Sequence, residues 1–404
     1  MKSFISACDA AQDVRLTHFI RVTPDGCGEY VVPPYSMDTP RLLFSMTKSI
    51  TALAIGMAAE DGLLDLDLSV LSFFPDKLPE NPSPNLPFMS VRHLLTMSCG
   101  ITRNTYDELY AAGDWVSAFL AQELPVMPGT CYIYSTHAYH MLSSIFTAAS
   151  GELLADYVQR RLFTPLGITE AVWERAPDGL TAGGMGLSLT PRSVVWLARL
   201  LLDDGQTLIP RDFLRQATSA QIIKPDGEGY GFGFHVDGGC YYLDGAFGQL
   251  CVIHPQKREA YIAFGNSKGS SLRRLIRAAF IEPDSTPFGV WQPGENPRGL
   301  DEIIITPSCV TLGRESINYI PGGEIRGVTE FVKDLQLHRQ PYVCRAHVCG
   351  SMLMLTVTYI ETPYTAHYSF TRRNDTLLFV CTRTPSLTPD SFTVTAQLSG
   401  AEIS

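Results

Sequence analysis

The chain has 404 residues, of which 45% are hydrophobic and 18% are charged, ordinary proportions for a globular protein with a large buried core. They exclude collagen, coiled coil and general disorder as descriptions of the whole chain. The 31 lysines and arginines against 41 aspartates and glutamates give a net charge of −10, which argues against a nucleic-acid partner or an anionic membrane surface. No apolar run reaches the roughly 18 residues that a membrane span requires.

The N-terminal segment does not resemble a secretory signal, because Asp9 and Asp13 interrupt its apolar stretch after a few residues. We therefore predict a cytoplasmic protein. Its 10 cysteines are scattered and form no Cys-x-x-Cys pair, so we expect reduced, buried thiols rather than a disulfide framework or a zinc site. No metal and no other cofactor is predicted.

The first elements are two strands, Arg15–Val22 and Tyr30–Val32, joined by a turn signal. A helix is predicted over Ser45–Asp61, where apolar residues recur at i, i+3, i+4 and i+7 and Gly62 stands at the C-cap position. Its apolar character indicates a central place in the fold. Further helices are predicted at Val91–Met97, Asp114–Gln122, Ala138–Ser150, Leu153–Arg161 and Pro191–Asp203.

Strand character returns after these helices. The predicted strands are Tyr230–Val236, Cys240–Leu243, Gln249–His254 and Ala260–Phe264, followed by a helix at Ser270–Phe280. Short turns between them favour antiparallel pairing. The pattern predicts one antiparallel sheet built from both ends of a domain, with a helical insertion at about 60–225.

A stretch rich in proline and glycine, residues 286–299, is predicted to be a linker. Residues 300–404 contain a series of short strand-like segments and are interpreted as a small all-β domain. The predicted fold class is therefore α+β, with a main domain at 1–285 and a C-terminal all-β domain at 300–404.

Ser45 and Lys48 open the central helix, in the sequence Ser-Met-Thr-Lys. Residues three apart share a helix face, so the amine can reach the hydroxyl. The helix N-terminus favours negative charge on the serine, and burial would lower the pKa of the lysine, as a general base requires. Taken alone, the same spacing is typical of a capping serine beside a solvated lysine.

The segments around this pair are more specific: "PYSMDTPRLLFSMTKSI", then "VRHLLTMSCGI" and "PGTCYIYSTHAYH". With them the chain resembles the serine β-lactamase-related family, which includes class C β-lactamases, D-alanyl-D-alanine carboxypeptidases and related esterases. The resemblance covers about residues 10–285. It implies a β-lactamase/transpeptidase-like fold, in which helices flank an antiparallel sheet, and metal-free chemistry through an acyl-enzyme.

By this resemblance Ser45 is the nucleophile, Lys48 its partner and Tyr134 the second acid/base. Tyr134 belongs to Tyr-Ser-Thr, where the family has Tyr-x-Asn. Thr136 thus replaces an asparagine whose amide binds both substrate and lysine. Its single hydroxyl still offers one hydrogen bond to a substrate.

The family's third motif, Lys-Thr-Gly or His-x-Gly on an edge strand, aligns with Leu243, Asp244 and Gly245. Gly245 suits a close backbone approach, and the N–H of Ala246 is predicted to pair with that of Ser45 in an oxyanion hole. The predicted substrate contacts are Thr136, Leu243, Asp244 and Gly245. The cation that grips a substrate carboxylate in relatives is missing, and Asp244 would repel such a group.

Two other patterns are interpreted as structural. Ser267 lies in a Gly-x-Ser-x-Gly sequence between a strand and a helix, as in α/β-hydrolases, but no parallel sheet is predicted upstream. His137 and His140 share a helix face with no carboxylate or cysteine beside them in sequence, so a metal site there is not predicted.

The sequence thus predicts a serine hydrolase for small ester, amide or peptide substrates, with neither nucleic acid nor membrane as partner. Two alternatives remain open. One is a non-catalytic ligand-binding protein on the same scaffold, suggested by the altered second and third motifs. The other is a true β-lactamase or D-alanyl-D-alanine carboxypeptidase. The oligomeric state and the role of the β domain are left open.

Overall fold

A computed structural model describes residues 1–282, 286–333, 335–385 and 391–399. The chain forms two compact units, one of Leu16–Gly269 and the other of Met1–Arg15 together with Ser270–Ser404. The predicted linker contains a short strand, Gly289–Pro293. The domains predicted at 1–285 and 300–404, as units that fold independently, stay a prediction. The predicted α+β class with antiparallel sheets is confirmed.

The helices predicted from periodicity are all present, with ends shifted by a few residues, and three more were not predicted (α1, α4 and α9). Their bounds are α1 Lys2–Ala10, α2 Thr47–Glu60, α3 Val91–Leu95, α4 Tyr106–Tyr110, α5 Trp115–Leu120, α6 Thr136–Ser150, α7 Leu154–Val158, α8 Pro191–Leu202, α9 Arg211–Ala217 and α10 Gly269–Ile276. In the described part of the chain, no helix combines the length and the apolar character that crossing a bilayer would require.

Helix α2 is buried along almost its whole length, from Thr47 to Ala58. A 3-10 turn, Phe44–Met46, leads into it. Gly62, with a φ of +73°, ends it at the predicted position, and the N–H of Leu63 donates to Ala58 O at 2.9 Å. The apolar sequence therefore produces a central helix, whose first turn buries Lys48 directly after the 3-10 turn that contains Ser45.

An antiparallel sheet of eight strands packs in the same unit. Strands β1 and β2 lie beside β11, in the order β2-β1-β11-β10-β9-β8-β7-β6, so the predicted sheet built from both ends of a domain is confirmed. A smaller sheet has the order β3-β5-β4. The bounds are β1 Leu16–Thr23, β2 Gly26–Val31, β3 Arg41–Leu42, β4 Val172–Trp173, β5 Leu187–Leu189, β6 Ile222–Ile223, β7 Gly229–Tyr230, β8 His235–Asp237, β9 Cys240–Gly245, β10 Gln249–His254 and β11 Glu259–Gly265.

The single strand predicted over Tyr230–Val236 is wrong, because the structure breaks it into β7 and β8. Gly233 lies between them with a φ of +77°, and a Cβ there would be 2.9 Å from Lys48 O. The hydroxyl of Ser49 donates to Gly233 O at 2.5 Å. The intervening segment leaves the sheet to pack on α2, which only glycine permits at this distance.

The C-terminal unit contains a ten-stranded antiparallel sheet in the order β15-β14-β13-β12-β21-β20-β19-β18-β17-β16. It curls until its two end strands approach each other, and the N–H of Ser316 donates to Thr329 Oγ1 at 3.0 Å. Residues on the inner face form a separate hydrophobic core. The bounds are β12 Gly289–Pro293, β13 Ile303–Ile305, β14 Cys309–Leu312, β15 Glu315–Asn318, β16 Glu324–Lys333, β17 Leu335–Cys349, β18 Met352–Tyr359, β19 Thr365–Arg373, β20 Thr376–Thr384 and β21 Ser391–Leu398.

Candidate active site

The predicted nucleophile and its partner lie in hydrogen-bond contact. Lys48 Nζ is 2.9 Å from Ser45 Oγ, as expected for side chains three apart on one helix face. Ser45 belongs to the 3-10 turn and Lys48 to the first turn of α2. The helix geometry that the sequence predicted is sufficient to bring these two groups together.

Lys48 is 2% exposed and forms no ion pair with any described residue. Its Nζ donates to Gly184 O at 2.6 Å and lies 3.3 Å from Thr136 Oγ1. Burial therefore penalises the ammonium without a counter-charge, and it lowers the pKa of Lys48 from 10.5 to about 7. Near neutral pH a large fraction of the amine can then accept a proton.

Tyr134 lies on the other side of this pair. Lys48 Nζ is 4.9 Å from the centre of its ring. Burial, with a smaller contribution from the Asp244 carboxylate, raises the pKa of Tyr134, while the nearby Ser45 hydroxyl opposes that rise. The phenol therefore keeps its proton at neutral pH, which suits a group that gives one to a leaving group.

A functional backbone group that the sequence analysis missed is the carbonyl of Gly184. The loop around Gly184 rests on α6, where a Cβ on that glycine would be 2.4 Å from Thr136 O. A Cβ on Gly183 would likewise be 2.5 Å from Tyr139 O. The glycines thus let the loop deliver a carbonyl oxygen to Lys48 Nζ. The run Gly183-Gly184-Met185-Gly186 was the available signal.

The end of β9 runs close beside the turn that contains the predicted nucleophile. A Cβ on Gly245 would be 2.2 Å from Leu43 O, so the close backbone approach expected at this glycine is present. Strand β8 pairs with β9 only as far as Tyr242, which leaves the following residues with an open edge although β9 is an interior strand. Ala246 begins the turn that follows.

Two aromatic residues with left-handed backbone angles flank the predicted oxyanion donors. Phe44, with a φ of +50°, precedes Ser45, and Phe247, with a φ of +62°, follows Ala246. Their rings meet edge to face with centroids 5.2 Å apart. Such angles cost about 1–3 kcal/mol each in a bulky residue, and the two strained residues are the chain neighbours of the predicted donors Ser45 and Ala246.

A family model, Beta-lactamase, matches residues 20–282, which is well over half of the chain. The chain belongs to the Beta-lactamase family. This confirms the resemblance that the motifs indicated.

Two relatives align with part of this chain at less than a third identity. Lovastatin esterase from Penicillium rubens is 29% identical over 163 residues, which cover 34% of this chain and 40% of that protein. Monacolin J acid methylbutanoyltransferase from Aspergillus terreus is 29% identical over 188 residues, covering 39% of this chain and 44% of that enzyme. The chain thus matches about two fifths of the length of these relatives.

Among solved structures, an octameric penicillin-binding protein homologue from Pyrococcus abyssi superposes with a TM-score of 0.60 at 17% identity. That match covers 98% of both chains. A simvastatin synthase from Aspergillus terreus gives a TM-score of 0.52 at 18% identity, covering 68% of this chain and 93% of that one. At these identities the likeness shows the fold alone.

In this Beta-lactamase family member, the third-motif side chains of Leu243 and Asp244 lie in different surroundings. Leu243 is 3% exposed and packs in the hydrophobic core, so only its backbone is available to a substrate, contrary to a side-chain role. Asp244 is partly exposed. Burial raises the pKa of both Tyr134 and Tyr132, and the charge of Asp244 adds a smaller contribution to each. A negative charge therefore acts on the predicted site.

The patterns interpreted as structural have partners that explain them. His140 Nε2 is 2.9 Å from Asp178 Oδ2, a carboxylate that is remote in sequence. His137 is buried between Trp115 and Tyr106, with ring centroids 4.9 and 5.5 Å away, and burial lowers its pKa to about 4. The described residues contain no group of three or more metal-ligating side chains.

Ser267 lies beyond β11, whose neighbours β1 and β10 are both antiparallel to it. It is 6% exposed, and its N–H donates to Phe247 O at 2.9 Å. This serine therefore supports the turn after β9 instead of standing exposed above a parallel sheet, which is the setting of an α/β-hydrolase nucleophile.

Proposed function

We propose that this chain is a serine hydrolase that acts through an acyl-enzyme on small ester or amide substrates. The observation that carries the proposal is the contact between Ser45 Oγ and a buried Lys48 whose pKa is about 7. A hydroxyl needs a neighbouring base to become a nucleophile. The neutral amine of Lys48 is that base.

In the first step, Ser45 Oγ forms a bond to the substrate carbonyl carbon and its proton passes to Lys48 Nζ. The carbonyl oxygen becomes an oxyanion, which accepts hydrogen bonds from the N–H groups of Ser45 and Ala246. The carbon then expels the leaving group, which takes the phenolic proton of Tyr134. The ammonium of Lys48 returns a proton to the phenolate, and an acyl-Ser45 ester remains.

In the second step an acceptor hydroxyl repeats the sequence in reverse. Its proton passes to the Tyr134–Lys48 pair, its oxygen attacks the acyl carbon, and Ser45 Oγ recovers its proton as the ester bond breaks. Water as acceptor gives hydrolysis. The methylbutanoyltransferase among the relatives makes an alcohol a reasonable second acceptor to test.

Thr136 and Asp244 suit small neutral acyl groups better than a β-lactam. Thr136 Oγ1 is already within 3.3 Å of Lys48 Nζ, so its single hydroxyl has little left to hold a substrate amide. Asp244 adds negative charge beside Leu243, the position where relatives carry a cation. Efficient turnover of penicillins, or of peptides that end in a carboxylate, is therefore not expected.

The test is labelling with a fluorophosphonate probe followed by intact-mass and peptide mass spectrometry. A stoichiometric adduct on Ser45, absent in Ser45→Ala, supports the proposal, and hydrolysis of p-nitrophenyl esters by the wild type but not the variant extends it. Ser267→Ala is the matched control and should label normally. Circular dichroism establishes that each variant is folded.

A non-catalytic ligand-binding protein remains the second candidate, because Thr136 and Asp244 both depart from the family motifs. It predicts that well-folded wild type is neither labelled nor active toward any ester. A true β-lactamase predicts turnover of nitrocefin at least as fast as that of the neutral esters. The same panel of substrates therefore separates all three.

A further inference from the structure

The unit formed by Met1–Arg15 and Ser270–Ser404 contains a cavity of about 290 Å³. It lies among residues 10–13, helix α10 and the strands β18, β19 and β20. Every lining residue belongs to this one unit, so the cavity has no part in the site of Ser45. The proposed hydrolase assigns it no role.

Most of the cavity wall is apolar. Leu275 contributes from α10, Met352 and Met354 from β18, and Val380 from β20. Methionine side chains are flexible and polarizable, so they adapt to irregular aliphatic ligands. This part of the wall suits a hydrocarbon chain.

Arg274 supplies a cation to the same cavity. Its Nε is buried and has no hydrogen-bond partner in the described chain, while its Nη2 lies 3.4 Å from Ser271 Oγ. Burial lowers the pKa of Arg274, and Asp13 opposes that effect. A buried guanidinium N–H without an acceptor is costly, and a ligand oxygen would supply the missing acceptor.

Asp13 limits the charge that the ligand can carry. This exposed carboxylate accepts a hydrogen bond from Ser271 Oγ at 2.6 Å, so one negative charge already stands near Arg274. A dianion such as phosphate would be repelled, and an amine would leave the guanidinium N–H without an acceptor. A single carboxylate satisfies Arg274 with the least repulsion.

We propose that this cavity binds a short aliphatic monocarboxylate, with its carboxylate on Arg274 and its chain along Leu275, Met352 and Met354. The volume lies at the lower end of ligand pockets, which span about 300–1,000 Å³. Chains of about six to ten carbons fit that size. Binding does not require a functional Ser45.

The experiment follows methionine methyl groups by NMR in the full chain carrying Ser45→Ala, with octanoate as the probe. The chain has 11 methionines, and Met352→Leu and Met354→Leu identify the two cavity signals. Met185 reports on the catalytic site, because it follows Gly184 and its sulfur accepts a hydrogen bond from Tyr106. We expect saturable shifts at Met352 and Met354 and none at Met185.

Arg274→Gln should weaken octanoate binding about tenfold, whereas Arg273→Gln, on the same helix but not lining the cavity, should leave it unchanged. Val380→Phe should abolish binding by filling the space, which gives a second variant if Arg274→Gln does not fold. Octylammonium should not bind. Shifts at Met185 alone, no saturable shift, equal binding of octylammonium, or undiminished binding to a folded Arg274→Gln would each overturn the proposal.

Discussion

Each of the two compact units buries charged side chains, and two of them, Glu315 and Lys48, have opposite surroundings. In the C-terminal unit Glu315 is 3% exposed and accepts hydrogen bonds from the hydroxyls of Tyr359 and Tyr368, both at 2.7 Å. Arg298 and Arg383 lie 3.2 and 3.8 Å from its other oxygen. The carboxylate is surrounded by donors and positive charge.

Lys48 in the other unit is buried as deeply, yet it has neutral oxygens as partners and no carboxylate among the described residues. Its protonated form is therefore disfavoured, and the pKa of Lys48 falls to about 7. The comparison shows that burial alone does not create a reactive group. Burial without a counter-charge destabilises the ammonium, and the neutral amine that the proposed mechanism uses is therefore populated near pH 7.

The largest expected effect comes from breaking the reactive cluster. Ser45→Ala, Lys48→Met and Tyr134→Phe should each lower kcat/KM for a neutral ester by about a thousandfold or more, because proton transfer and attack depend on one another. Double variants should lose little more than single ones. Steady-state kinetics on folded proteins checks this, and independent tenfold losses that multiply would show that the three groups do not act together.

The second prediction concerns stability. Removing the charge of Glu315 and removing that of Lys48 should have opposite effects on the free energy of unfolding. Glu315→Gln should lower the free energy of unfolding by about 3–5 kcal/mol, because Arg298 and Arg383 lose their buried partner. Lys48→Met should leave it unchanged or raise it, since a poorly compensated cation is removed. Urea denaturation followed by circular dichroism measures both. A loss below about 1 kcal/mol for Glu315→Gln would contradict the structural role of this cluster.

The contact between Ser45 and Lys48 was predictable because helix geometry fixes the neighbours of residues three apart. The sheet that combines both ends of the main domain was predictable from short turns and β-branched runs. The carbonyl of Gly184 was not, because a backbone acceptor has no side-chain signature and its position depends on a loop 136 residues away along the chain.

Other misses have local causes. Strand β16 was not predicted, because Gly327 interrupts its alternation. In the structure the ring of Tyr342 occupies the space beside that glycine, where a Cβ would be 2.4 Å from Tyr342 Cζ. The burial of Leu243 could not be known without the register of β9, since a shift by one residue exchanges the two faces of a strand.

The third prediction is that kcat/KM depends on pH through the protonation of Lys48, whose charge has no buried counter-charge among the described residues. Because only the neutral amine accepts a proton, kcat/KM should rise with pH through about 7, falling roughly tenfold per unit below it. The raised pKa of Tyr134 places any alkaline loss well above this midpoint. A neutral ester assayed between pH 5 and 9 tests it, and a profile without a midpoint near 7 would contradict Lys48 as the base.

The free energy of unfolding should also depend on pH through the pKa of Lys48. The pKa of Lys48 is about 7 when folded and near 10.5 when unfolded, so the unfolded state binds more protons between these values. The free energy of unfolding should therefore rise with pH across this window, by at most about 1.4 kcal/mol per unit. Lys48→Met, compared at each pH, should lack this contribution.

The smallest expected effect concerns Asp244, which brings an acidic charge to the site where relatives carry a cation. At an effective dielectric near 20, a substrate carboxylate about 6 Å away would meet a repulsion of about 3 kcal/mol before screening by salt.

We expect the wild type to prefer a neutral ester over its carboxylate analogue. Asp244→Asn should narrow that preference about tenfold with little change for the neutral ester, whereas Leu243→Lys should mainly destabilise the fold because that side chain is buried. The ratio of kcat/KM for the two esters at low and high salt measures this, and a wild type that already favours the carboxylate would mean that another cation reaches the substrate.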